Sequence, residues 1–361
     1  VSINADFLGT WISPIEYAKQ YIVNRKIDEV SGAKMSRHFQ VESYMSLSGS
    51  NADNRILIKP SEQGAAIAFL YNALAAKSGA PAVTAPAIPE KTAGALAKIA
   101  DQLLANKGAS LVVAGSNVKD EQILVNKINE LLGSYGTTID LSLPSYQRQG
   151  NEADLVKLVG DMEGGLVDAV ILFDQANPAY DYPAGQKFQD AFAKVTTRIS
   201  FSGTLNETAH LCNYIAPAHH LLESWGDAEP KEGILSLIQP TISPLFNTRQ
   251  GELSLLKWAA TDGVNWKSDS PYYEYLKSNW TQHYLNGSSW DKALHDGVFY
   301  YPWTSGVVPK PAEVSVGSLK ISQPLTADTE ITFFESVNIG AGQYANNPWL
   351  QEMPDPVTRC V

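Results

Sequence analysis

The sequence predicts an α/β protein made of two pseudo-related doubly wound parallel-sheet domains, with a small β-rich C-terminal part. Three observations carry that expectation. Short apolar runs alternate with amphipathic stretches of helical period, the pattern of strand–helix–strand units. The runs are continuous rather than alternating, as in strands covered on both faces of a parallel sheet. One order of elements (strand, loop with proline, helix, strand, acidic loop) occurs twice, which suggests two related halves despite low identity between the copies.

In chain order, the first strand is expected over Ile3–Leu8. The loop Gly9-Thr10-Trp11-Ile12-Ser13-Pro14 follows, then a helix carrying Ile15, Ala18, Tyr21 and Ile22. A second strand, Arg37–Glu42, leads through Ser48–Asp53 to an apolar run from Ile56. Ser61–Lys77 and Lys91–Ala105 are alanine-rich amphipathic helices separated by a proline-containing loop. Ala109–Ala114 reads as a strand ending in Gly115-Ser116-Asn117, and Asp120–Leu132 as a helix stopped by Gly133. The plan recurs with a strand over Ala169–Phe173, the Asn177-Pro178 loop, a helix carrying Phe188, Phe192 and Val195, and a strand over Arg198–Phe201. Beyond Ala260 the pattern weakens, and a β-rich stretch is expected over Ser315–Phe334. The resulting division is a first lobe over 1–78, a second over 79–150, a return to the first over 151–260, and an aromatic- and β-rich segment over 261–361.

Composition sets the outer limits. With 361 residues, 44% hydrophobic and 18% charged, the chain can bury a core of ordinary size. A net charge of −11 with no basic stripe argues against nucleic acid as a partner. No apolar run approaches the roughly 20 residues that span a bilayer, so no direct transmembrane segment is expected. The opening Val1-Ser2-Ile3 has no initiating Met, and the chain reads as a piece of a longer polypeptide. Two cysteines, Cys212 and Cys360, are too few for an iron–sulfur cluster, and Cys212 reads as a small buried hydrophobe.

Catalytic motifs are missing. The sequence holds no Gly-x-Ser-x-Gly elbow, no His-Glu-x-x-His and no Walker loop, and the loose dinucleotide pattern at Gly340, Gly342 and Ala345 precedes no helical pattern. His219, His220 and Glu223 have helical spacing but no evident third ligand, so no metal site is assigned. In open α/β sheets, ligands bind at the carboxyl ends of the strands, which directs attention to loops 174–181 and 202–208. Asp174, Asn177 and Asp181 suit either guanine recognition or turn chemistry after a strand. Glu207 and Thr208 suit helix capping.

Four blocks, Phe39–Leu74, Leu111–Gly136, Asp168–Pro178 and Asn206–Pro244, resemble in this order blocks of the molybdopterin oxidoreductase family. Those enzymes carry a pterin dinucleotide between two pseudo-symmetric α/β domains, and the resemblance covers residues 1–260. The phrases Ala5–Trp11, Ser36–Ser43, His219–Pro230 and Gln351–Arg359 are most similar to one branch, the fused molybdopterin-like/iron–sulfur subunit of bacterial alternative complex III, a respiratory quinol:electron-acceptor oxidoreductase. That branch implies no cofactor in this half, iron–sulfur clusters in the rest of the polypeptide, haem c in partner subunits, quinol-binding membrane subunits as neighbours, and a place on the periplasmic face of the bacterial membrane. It also implies no catalytic residue here. Gly9, Trp11, Pro14, Asp174, Asn177, Pro178, Glu207 and Thr208 are then vestiges of the pterin-dinucleotide loops.

Departures agree with that reading. Catalytic relatives usually show Gly-x-Asn-Pro where this chain has Gly9–Pro14, and Trp11 either fills space a nucleotide needs or packs at a loop–core junction. The alternatives are a fragment of an active molybdenum enzyme, or a two-lobed binding module for a soluble ligand. The segment Trp266–Trp303 is expected to form either a subunit interface or the packed underside of a C-terminal part.

Overall fold

The computed structural model describes residues 1–27, 35–301 and 313–360. The chain divides into two compact units, Val1–Ser142 with Gly306–Val361, and Leu143–Ser305.

The first unit is built on four short parallel strands: β1 (Ser2–Ile3), β2 (Phe39–Glu42), β3 (Asn54–Leu57) and β4 (Val113–Ala114). They lie in the order β3-β2-β1-β4. The chain therefore steps outward from β1 through β2 to β3, then crosses back to place β4 on the other side of β1. That reversal is a topological switch point. Helix α1 (Pro14–Val23) and the single turn α2 (Leu47–Ser50) connect the first strands, while α3 (Gln63–Ser78), α4 (Glu90–Ala105) and α5 (Lys119–Leu132) follow β3 and flank β4. The core forms where Ile3 and Val41 of the sheet meet Ile67, Leu70 and Leu74 of α3, Leu96 and Ile99 of α4, and Leu124 and Ile128 of α5. Alanines at 65, 66, 68 and 75 let α4 and α5 pack closely on α3, which is buried almost all round. The strand expected over 109–114 is shorter because the buried Asn129 amide takes both backbone groups of Val112, accepting from its N–H at 2.9 Å and donating to its carbonyl at 2.7 Å.

The second unit contains α6 (Glu152–Glu163), β5 (Ala169–Leu172), α7 (Pro178–Asp181), α8 (Gly185–Phe192), β6 (Thr197–Ser200) and β7 (Tyr214–Ile215). Its parallel sheet has the order β5-β6-β7. Phe188, Ala191 and Phe192 of α8 pack with Val159 and Met162 of α6 beneath it. An antiparallel sheet follows: β8 (Gly226–Lys231) and β9 (Ile234–Ile238) form a hairpin, α9 (Gly251–Trp258), α10 (Pro271–His283) and α11 (Trp290–Asp296) come next, and β10 (Val298–Tyr300) pairs with β9. Pro230 sits at an irregularity of β8, where a missing N–H costs no ladder bond.

Several expectations need correction. Residues 79–142 do not form a separate lobe, because β4 pairs directly with β1 and α4 and α5 cover α3. Residues 151–260 do not rejoin the first unit, and 261–361 is split between both. The small β-rich part exists, but as β8–β10; the stretch 315–334 holds only a 3₁₀ turn, Val316–Ser318. The middle of the aromatic segment turns inward, while Trp266 (42% exposed) and Tyr300 (73%) stay at the surface. Trp280 is 0% exposed and Trp290 6%, and both pack with Leu276, Leu285 and Phe299. Trp303 lies outside the described residues.

The switch point explains one glycine. A Cβ on Gly115, just after β4, would run into the carbonyl oxygen of Asn4 at the end of β1, whereas a Cβ on Gly94 inside α4 meets nothing. Gly115→Ala is expected to destabilise the chain, because the obstacle is backbone. Gly94→Ala is expected to stabilise it by about 0.5–1 kcal/mol through helix propensity. Urea unfolding of the two variants checks the opposite signs.

Candidate functional site: twin latches at the carboxyl ends of the strands

The loops that follow the strands of each parallel sheet are fastened by the same set of hydrogen bonds. In the second unit, Asn177 follows β5 and Thr208 follows β6. The Asn177 side-chain oxygen accepts from the Thr208 amide at 3.0 Å and from its hydroxyl at 2.8 Å, and the Ala179 amide donates to the Thr208 hydroxyl at 2.9 Å. In the first unit, Asp6 follows β1 and Ser48 follows β2. The Asp6 carboxylate accepts from the Ser48 amide and hydroxyl, both at 2.8 Å, and the Leu8 amide donates to the Ser48 hydroxyl at 2.9 Å.

The correspondence extends along the chain. Asn206 caps the Ala209 amide as Ser46 caps that of Gly49. The Asn177 carbonyl accepts from Tyr180 and Asp181 as the Asp6 carbonyl accepts from Gly9 and Thr10. Ser46-Leu47-Ser48-Gly49 and Asn206-Glu207-Thr208-Ala209 are therefore one motif: a capping residue, any residue, a latching hydroxyl and a small residue. Asp6-Phe7-Leu8 likewise matches Asn177-Pro178-Ala179. The repeat expected from element order is real, but its register differs from the proline alignment. Pro178 corresponds to Phe7, not to Pro14.

Local chemistry explains the residue types. Each latching hydroxyl is fully buried, with Ser48 and Thr208 at 0% exposure. A group that accepts one bond and donates another is needed there, and serine or threonine supplies both. Gly9 lacks a Cβ because the Asp6 carboxylate folds over that turn. Pro178 heads α7 and Pro14 heads α1, where the missing N–H costs no helical bond. Asp174 turns the chain after β5 with φ 52, which is turn chemistry of the kind expected for aspartate.

The remaining sequence-predicted residues also have partners within the chain, although Asp181, Glu207 and His220 are exposed. The Asn177 amide nitrogen donates to the Glu207 carboxylate at 2.6 Å, which holds that carboxyl below its usual range. Burial and then the Glu207 charge push the Asp181 carboxyl up. Trp11 is half-buried and packs its ring 5.6 Å from Tyr17 of α1. Beside it, Ile12 holds φ 47, a strained value for a β-branched residue. His219 meets the Thr248 hydroxyl, and His220 and Glu223 cap each other's backbone around the turn Leu221–Glu223. The three do not converge as metal ligands; among the described residues no group of three or more His, Cys, Asp or Glu does. Cys212 is half-buried against the second-unit core, and burial raises its thiol pKa.

The Glu223–Glu229 phrase has structural work throughout. Glu223 accepts from the Leu245 amide, Asp227 from the buried Trp280 indole at 2.7 Å, and Glu229 from the Tyr301 hydroxyl at 2.6 Å, while Trp225 packs on Tyr273 with the rings tilted by 47°.

Sequence reasoning missed a polar row on β2. His38, Gln40 and Glu42 alternate along the strand and so share one face. Tyr21 of α1 contacts the His38 ring at 3.2 Å, His38 meets Gln40 at 3.1 Å, Gln40 donates to Glu42 at 3.1 Å, and Glu42 receives Ser46 at 2.6 Å and Arg55 at 2.5 Å. A single sequence hides this row, because its partners come from α1, α2 and β3. The Asp6–Ser48 half of the latch was hidden for the same reason, although the shared motif around Ser48 and Thr208 was available as a signal.

The strand-end loops of each unit thus commit these donors and acceptors to one another.

Two predictions follow from these contacts. Thr208→Val leaves the buried Ala179 amide without an acceptor and is expected to cost about 1–3 kcal/mol in urea unfolding, with Thr208→Ser recovering most of it. The pH dependence follows from His38, whose pKa burial lowers from 6.5 to about 4 against the smaller upward pull of its Gln40 contact and Asp53. The neutral ring is favoured in the fold, so its contribution is complete above pH 6.5 and is lost as pH falls toward 4. Stability is expected to drop by up to about 1.4 kcal/mol per pH unit across that window, and His38→Gln to flatten the slope.

Comparison with known proteins places this geometry in context. No protein-family model matches the chain. The menaquinone reductase, molybdopterin-binding-like subunit of Nitratidesulfovibrio vulgaris (strain Hildenborough) is 30% identical over 133 residues, which is 36% of this chain and 19% of the relative's length. Among solved structures, acetylene hydratase from Pelobacter acetylenicus aligns over 83% of this chain and 52% of its own, with a TM-score of 0.57 at 11% identity. That second likeness is one of fold alone. The chain thus spans a minor part of its curated relative and about half of the structural neighbour.

Proposed function

We propose, from the premise that this chain is molybdopterin-oxidoreductase-like in sequence and fold, that it is a cofactor-free structural region of a respiratory quinone/quinol oxidoreductase complex. In this reading it docks the iron–sulfur half of its own polypeptide and neighbouring haem c and quinol-binding membrane subunits. The assembly would be of the alternative complex III kind, on the periplasmic face of the bacterial membrane. The sequence relative, itself a subunit of a menaquinone reductase and molybdopterin-binding-like by name, supports the respiratory and quinone side of the reading.

The observation that carries the proposal is the twin latch. Loops that would cradle a dinucleotide instead close each sheet with hydrogen bonds of their own. A buried donor already satisfied inside the protein gains little from a ligand, since the exchange of one hydrogen bond for another is nearly neutral. With two cysteines in the chain, iron–sulfur clusters would have to lie elsewhere in the assembly.

Exposed apolar surface supports the docking role. In the second unit, Leu245 is 72% exposed and Phe246 77%, beside Leu221 and Leu222. The bonds from Thr241 to the Leu222 carbonyl and from Leu245 to Glu223 hold the two segments together. Clustered apolar side chains held out to solvent by a rigid frame mark interaction faces. No helix among the described residues is long and apolar enough to cross a membrane, so contact with membrane subunits would be made through such faces.

The test is elemental analysis of the intact polypeptide purified from its membrane. The expected result is several iron atoms per chain with neither molybdenum nor tungsten. Stoichiometric molybdenum or tungsten would overturn the proposal and assign the chain to an active pterin enzyme.

A further inference from the structure

The carboxyl edge of the first-unit sheet carries a second closure, made by the chain's own C-terminal segment. Residues 314–334 start in the core, where Val316 and Leu319 are buried among the residues of α3–α5. They then run across the loops that follow three of the four strands. The Lys320 amide donates to Asp120 at the head of α5, after β4, at 2.8 Å. At the head of α3, after β3, the Leu325 amide donates to the Ser61 hydroxyl at 2.9 Å, and Lys59 donates to the Ala327 carbonyl at 3.0 Å. The Glu330 carboxylate is gripped by Ser61 at both oxygens, from the amide and the hydroxyl, each at 2.8 Å. Phe334 finally stacks on Tyr44, after β2, with ring centroids 4.2 Å apart and planes 10° from parallel. The loop after the fourth strand, β1, is the one held by the Asp6–Ser48 latch.

This is the edge at which open α/β sheets admit ligands. The switch point is also filled from within. Asn4 at the end of β1 donates to Gln63, and Gln63 donates to Glu121, whose carboxylate lies against Gly64 in the first turn of α3. Two carboxylates of the chain, Glu121 and Glu330, therefore stand at the head of α3, where the helix dipole favours negative charge.

We propose that residues 316–334 are a built-in strap that plugs the ligand edge of the first sheet, clasped by the Ser61–Glu330 pair. The strap keeps α3, α5 and the β2 loop together without any bound group, and it bars phosphate-bearing ligands both sterically and by charge. The inference rests on the cofactor-free reading above and gives it a physical agent.

Amide hydrogen exchange on the full-length protein tests it. In the wild type, the Lys320 and Leu325 amides are expected to be protected, and millimolar inorganic pyrophosphate to leave that protection unchanged. Glu330→Gln and Ser61→Ala are each expected to speed exchange at Leu325 by about tenfold or more, with the sheet amide of Val41 unaffected as a control for folding. The double variant should add little to either single one, because both break the same clasp. Unprotected Lys320 and Leu325 amides in the wild type, single variants without effect, or release of the strap by pyrophosphate would overturn the plug. The two proposals fail separately. Molybdenum found together with a protected strap would end the cofactor-free reading and leave the strap seated. A loose strap in molybdenum-free protein would end the plug alone.

Discussion

A side-chain oxygen that receives both the amide and the hydroxyl of one buried serine or threonine holds this molecule's strand-end loops in place. The short parallel strands cannot do it unaided. β1 and β4 pair over only two residues each, and β7 over two. A sheet with so few ladder bonds needs its loops tied, and the Asp6–Ser48 and Asn177–Thr208 bonds tie them at buried positions where an unmet polar group would be expensive. The same geometry in both units, with the same cap two residues ahead of the hydroxyl, is the atomic form of the internal repeat.

The two units differ in how the rest of the strand-end edge is covered. The first unit closes it with polar contacts: Glu42 at the carboxyl end of β2, the Asn4-Gln63-Glu121 chain at the switch point, and the strap gripped by Ser61. These groups are all partnered, which favours a single arrangement. The second unit instead presents leucine and phenylalanine side chains around Leu222 and Phe246 to solvent. One unit ties its strand-end edge with internal polar bonds, and the other carries exposed leucine and phenylalanine side chains.

The motifs that suggested chemistry all make structural contacts. Asn177-Pro178 and Glu207-Thr208 fasten each other, His220 and Glu223 form a reciprocal cap, and Asp227 and Glu229 anchor Trp280 and Tyr301 of the aromatic core. The aromatic stretch near residue 280 reads equally well as an interface or as a core from composition alone. Burial of the Trp280 indole with a carboxylate partner decides for the core, because only a satisfied N–H can be enclosed there.

From the sequence by itself came the α/β class, nearly every parallel strand and its following helix, the repeated order of elements, and the identity of the strand-end loops. These are local properties: a continuous apolar run, a helical period, a Gly or Pro at a boundary each act within a few residues. What the tertiary structure alone decided is long-range. Strand order put residues 79–142 into the first unit rather than a lobe of their own, and the latch joined positions 42 residues apart at Asp6 and Ser48. The grip of Ser61 on Glu330 spans 269 residues. No local pattern encodes such a partner, since a buried donor specifies only that some acceptor must meet it, and the folded backbone chooses which.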